Sequence, residues 1–407
     1  MIVNLGFFRP CCLLVGLAAL SAPALAAPRV PTDAGEILET LPMRPGDTTA
    51  RDLALMRAAV NQAATAQIVD PLPAAKLAER YFDLAAARGD PRYIGYADAV
   101  IAPFASSQAP ALLAVRGQLR QYRHDFDAAL ADFALALKTD PHYASAHAWR
   151  GAIYLVQANY AGANAECAAL QALRRQLLTA ACQGLHDAYS GRMAAGLATL
   201  QRGLAMSADA ANRLWFLTRL GEVAAWRGDA NSAEQYYRAA LALGLEDGYL
   251  LAAWSDFLLD QKRPGEVVRW LTKWEASDGL LLRLALAESA LNLSAAKTHV
   301  QALGDRFAAA RARGDTTHRA EEARFELQLM GNARAALITA AENYQVQREP
   351  RDARALLEAA IAANNAPAAE PVRAWLKSSG FEDPRLRALG ERSAALGGNG
   401  DTAARRP

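Results

Sequence analysis

Apolar and small residues recur along this chain with helical spacing, in blocks separated by short polar breaks. The clearest block is HDFDAALADFALALKTDP, residues 124–141, where Ala129, Phe133 and Ala136 share one face and Pro141 ends the run. A second helical pattern precedes it and places Gly117 twelve residues ahead of Ala129. Helix, turn and helix are therefore predicted as a unit. A close relative of that block, RGDANSAEQYYRAALALG, spans residues 227–244. Fainter blocks cover residues 73–102, 279–312, 317–344 and 350–378, and a single helix is expected within 51–68. Internal repetition is thus the main organising signal.

These spacings resemble the tetratricopeptide (TPR) repeat, a helix–turn–helix of 34 residues. The family pattern has small residues at its eighth, twentieth and twenty-seventh positions and a large one at its twenty-fourth. Gly117, Ala129, Phe133 and Ala136 fill part of it, and a step of 34 gives Gly151, Ala163, Cys167 and Leu170. Gly184, Gly196, Leu200 and Gly203 come next. A longer step that absorbs SADAAN leads to Gly221, Ala233, Tyr237 and Ala240. Ser255, Val267, Leu271 and Trp274 make a weaker fifth unit. Arg120, Asp187, Arg324 and Leu376 depart from the pattern. The resemblance implies an all-α, right-handed superhelical solenoid of about eight repeats over residues 51–390, clearest over 110–281.

Composition agrees with that expectation. The chain has 407 residues and is 52% hydrophobic but only 7% aromatic, and 95 of its residues are alanine. Alanine favours helices and lets them approach closely. A formal net charge of +2 gives no support for nucleic-acid binding.

Residues 1–26 read as a cleaved signal peptide. Arg9 supplies the positive start, residues 11–20 the short apolar run, and Ala24-Leu25-Ala26 the cleavage site. A periplasmic or secreted chain, bacterial in type and without a membrane-spanning segment, is expected. Residues 27–50 are rich in proline and read as a linker, and residues 391–407 as a flexible tail. Export places Cys167 and Cys182 in an oxidising compartment. They flank a helical turn expected at Arg174-Arg175, so a disulfide is expected there, with two buried free thiols as the alternative.

No catalytic motif emerges, so neither an enzyme nor a cofactor is expected. His142 and His147 are spaced badly for a shared metal and read as solvated, and Glu321-Glu322 as helix-surface charge. The TPR resemblance implies a concave groove lined by first-helix positions. These hold Tyr122, Tyr189, Trp215, Glu222, Trp226, Tyr249, Asp256 and Asp260. The implied function is a protein-binding scaffold or assembly factor whose groove holds a protein or peptide segment, with the acidic groups favouring a basic one. The alternative is a structural subunit of an envelope export complex. Packing of these rings on a neighbouring helix or the linker is the competing expectation.

Overall fold

The computed structural model of the chain describes residues 47–65 and 70–403. The expected signal peptide, all but the end of the linker and the last four residues lie outside them. Among the described residues there are twenty α-helices and no strand. Helix α1 (Thr48–Thr65) stands alone. Five pairs follow: α2 (Leu72–Arg88) with α3 (Arg92–Ile101), α4 (Pro110–Tyr122) with α5 (Phe126–Thr139), α6 (Ala144–Val156) with α7 (Tyr160–Ala172), α8 (Gln176–Tyr189) with α9 (Met193–Met206), and α10 (Ala210–Trp226) with α11 (Ala230–Leu241). Four more complete the series: α12 (Gly248–Asp260) with α13 (Pro264–Leu271), α14 (Asp278–Ala290) with α15 (Ala295–Ala312), α16 (Arg319–Gln328) with α17 (Ala333–Val346), and α18 (Pro350–Ala362) with α19 (Glu370–Ser379). The last helix, α20 (Pro384–Ala403), continues past residue 390, where the sequence pattern puts the end of the array.

One backbone feature recurs in every pair, and in several of the turns between pairs. The turn between first and second helix holds one residue in the left-handed conformation: Gly89, His124, Ala158, Gly191, Gly228, Lys262, Asn292, Gly331 and Asn364. That conformation stops the first helix and redirects the chain into an antiparallel second one. Glycine or asparagine fills six of the nine places. Elsewhere a side chain bears a steric cost of roughly 1–2 kcal/mol.

Inside the pairs, glycine on one helix faces a bulky residue on the other. A Cβ on Gly117 would sit 2.7 Å from the Phe133 ring, one on Gly221 2.7 Å from Tyr237, and one on Gly184 2.7 Å from Leu200. In the α6–α7 unit the large position is only Cys167. There a Cβ on Gly151 would meet the Cys182 sulfur at 3.3 Å. Cys167 and Cys182 are joined by a disulfide between α7 and α8, with S–S 2.03 Å and Cα–Cα 5.4 Å. The bridge thus occupies space that a ring fills in other units. The SADAAN segment forms no bulging loop. It lengthens α10 by a turn at its start, capped by Asp209, which accepts from Asn212 N at 2.8 Å.

Within residues 52–407 the array curls until its early and late parts meet. Gly248, at the start of α12, lies against the carbonyls of Ala86 and Ala87 in α2. The C-terminal helices then turn into the concave side. The Arg348 amide donates to the Val156 carbonyl at 2.7 Å, and Trp375 Nε1 donates to the Tyr160 hydroxyl at 2.7 Å. The Met193 amide donates to Glu382 at 3.0 Å. Apolar packing follows the same path: Met193, Leu200, Phe216 and Leu220 share one core with Leu357, Val372, Trp375 and Phe381.

Two stability outcomes are expected. Lys262→Gly should raise unfolding free energy by about 1 kcal/mol, because glycine relieves the left-handed strain at an exposed turn. Replacing both Cys167 and Cys182 by Ser should lower it by about 3 kcal/mol, the value for a loop of ~15 residues. Denaturant titration with and without reductant checks the second, since reductant should no longer affect the double variant.

Candidate functional site

The eight groove residues do converge, because they occupy the inner faces of α4, α8, α10 and α12. The central space they enclose is divided in two. One half is narrowed by the chain's own C-terminal helices to a cavity of about 160 Å³. Tyr189 packs edge-on against Trp226, ring centroids 5.4 Å apart, and Trp226 packs on Phe381, 5.6 Å away. The Tyr189 hydroxyl donates to Glu349 at 3.2 Å. Tyr189 is 4% exposed, so no further partner can cover it.

The two aspartates on α12 are satisfied internally as well. Asp256 pairs with Arg283 of α14 at 2.6 Å and with Arg324 of α16 at 2.8 Å. Burial disfavours its charge, yet Arg283 and Arg324 hold its carboxyl well below the usual carboxylate range. Asp260, one turn on, pairs with Arg354 of α18 at 2.9 Å and Arg385 of α20 at 2.5 Å. Asp256 and Asp260, expected to favour a basic partner segment, are paired here with a basic segment of the same chain. The segment is this chain's own C-terminal half. An extended partner strand cannot lie over α12 while those helices are in place. Arg324, a departure from the repeat pattern, is explained by this contact.

The other half stays open as a cavity of about 510 Å³ between the inner faces of α4, α6, α8 and α10 and the starts of α16 and α18. Tyr122, Trp215 and Tyr249 line it, as do Phe82 and Trp149, which the repeat positions did not single out. Phe82 packs edge-on against both Tyr122 and Trp149. Arg219 lies between Trp215 and Tyr249, its guanidinium carbon 5.5 Å from one ring centre and 4.1 Å from the other. It also pairs with Glu222 at 2.8 Å and donates to the Tyr249 hydroxyl. Arg219 was legible in principle, being four residues after Trp215 and three before Glu222 on one helical face.

Two minor expectations are corrected. His147 is not solvated: its Nδ1 lies 2.6 Å from Glu166 on the paired helix. Glu322 is not surface charge but is buried and paired with Arg311, while Glu321 faces the cavity. Among the described residues no His, Cys, Asp or Glu cluster is placed to hold a metal, and no helix is long and apolar enough to cross a membrane.

Asp256→Asn is expected to destabilise the fold by roughly 1–3 kcal/mol, because two arginines lose a shared, half-buried counter-charge. Glu370→Gln, which removes an exposed pair with Arg373, should cost under about 1 kcal/mol. Chemical denaturation of both variants provides the comparison.

No protein-family model matches the chain, and no curated protein matches it. Among solved structures it is similar to human IFIT1 in its dimer with m7Gppp-AAAA, at 14% identity over 86% of each chain with TM-score 0.44. It is also similar to the P58(IPK) TPR domain, at 13% identity over 87% of this chain and all of that one, with TM-score 0.24. Paired helices, the small–large contacts within them and the repeated left-handed turn make this fold a TPR-like helical-repeat solenoid.

Proposed function

We propose that this chain is a non-catalytic binding scaffold of the bacterial periplasm, which receives a small projecting group of a partner protein in its central cavity. The observation that carries the reading is the division of the groove. Its α12 side is narrowed to about 160 Å³ and lined by arginines already paired with Asp256 and Asp260, while the side walled by Tyr122, Trp149 and Trp215 is wider, about 510 Å³. A space of about 510 Å³ suits one side chain or a chain end, not an extended segment. Buried aromatic walls are the usual anchors of recognition sites. The Cys167–Cys182 disulfide supports an oxidising location, as does the leader-like start of the sequence. The carboxylates of Glu321 and Glu349 in the cavity wall argue against an anionic ligand.

A photo-crosslinking residue tests this reading. Placed at Tyr122, it should capture one envelope protein. Placed at Ile338, which is 54% exposed on the outer surface, it should not. Trp149→Ala with Trp215→Ala should reduce capture from the Tyr122 position at least tenfold. Equal capture from both positions, or capture indifferent to the tryptophans, overturns the reading.

A further inference from the structure

The charges around the central cavity do not balance, and the imbalance has a sign. Its two arginines are already engaged: Arg219 with Glu222, and Arg351 with Glu349 at 2.7 Å. Asp247 caps α12, accepting from the Leu250 amide at 2.7 Å. Asp352 closes the capping box of α18 and accepts from Asn343 at 2.8 Å. Glu321 remains. It lines the cavity from the first turn of α16 and, among the described residues, makes no ion pair within 4.0 Å. Burial opposes its charge, but His318, Arg351 and Arg283 hold its carboxyl below the ordinary range, so it is an anion at neutral pH.

Facing the same space are the rings of Phe82, Tyr122 and Trp149. Among the described residues no arginine or lysine stacks on any of these three, unlike Trp215 and Tyr249, which already hold the Arg219 guanidinium. An aromatic face attracts a cation through its quadrupole. The cavity also adjoins a surface cleft, with Tyr122, Thr317 and His318 common to both, which provides a route inward.

We propose that the central cavity binds a small organic cation, an alkyl guanidinium or ammonium, with its charge on Glu321 and its apolar stem against Tyr122 and Trp149. The arrangement would repeat in trans what Arg219 does in cis: one guanidinium, one glutamate and aromatic faces. An anion would instead meet the carboxylates of Glu321 and Glu349. The proposal rests on the cavity being the recognition site and adds the class of group received there.

Isothermal titration calorimetry on the full mature chain tests it with four probes. Agmatine represents a free cation, N-acetyl-arginine methylamide a protein side chain, N-acetyl-citrulline methylamide its neutral isostere, and ATP an anion. Both cations should bind saturably, the citrulline compound at least tenfold more weakly, and ATP not at all. The tighter cation identifies the source: the arginine derivative points to a partner's side chain, agmatine to a free amine. Glu321→Gln should weaken cation binding about tenfold, with the melting temperature recorded alongside to confirm that the variant is folded at the titration temperature. Citrulline or ATP binding as tightly as the cations overturns the proposal, as does the absence of saturable cation binding. Because probe discrimination is measured on the native chain, the outcome does not depend on the variant folding. Crosslinking from Tyr122 without any cation preference would remove the ligand class and leave the scaffold reading intact. Cation binding without crosslinking would do the reverse.

Discussion

Two carboxylates one helical turn apart hold this molecule in its closed form. Asp256 and Asp260 on α12 receive Arg283, Arg324, Arg354 and Arg385, one from each of α14, α16, α18 and α20. Every inner helix of the C-terminal half is therefore tied to the same short stretch of α12. The arginines are long enough to reach inward from successive helices, and each carboxylate has two oxygens to share. Without this clamp Arg283 would be left as a buried, unpaired charge, and Arg324, Arg354 and Arg385 would lose their shared anchor. With it the C-terminal helices can lie inside the curve of the earlier ones.

Much of the first half of the fold was legible in the sequence because it is local. Gly117 with Phe133 and Gly221 with Tyr237 are contacts within one helix pair, and their spacing repeats. The disulfide position followed from symmetry about a turn. Groove residues were also identified, since first-helix positions point inward in such arrays. What covers them was not legible. The Trp226–Phe381 and Asp260–Arg385 contacts join residues more than a hundred positions apart, and helical periodicity carries no record of such pairings. Arg324 stood out only as a departure from the pattern. Glu321 and Glu322 looked alike in sequence, yet one faces a cavity and the other is buried against Arg311.

The alanine-rich composition shapes the interior in a particular way. Ala129, Ala136, Ala163, Ala233 and Ala240 are all fully buried at close helix contacts. Small side chains bring helix axes together but contribute little apolar area each. The few rings therefore carry a large share of the non-local packing, as Trp226 and Phe381 do between α10 and the C-terminal helices. The same scarcity makes the ring-lined cavity stand out from the rest of the surface.

Curling back on itself changes how such an array can come apart. An open repeat protein is quasi-one-dimensional: each unit touches its neighbours, and the ends can fray without disturbing the middle. Here α2 meets α12, and the last helices pack on α8 and α10. Neither end of the described array is a free end in the energetic sense. Loss of the final helix exposes the centre, so the units lose their independence and the molecule melts as a whole.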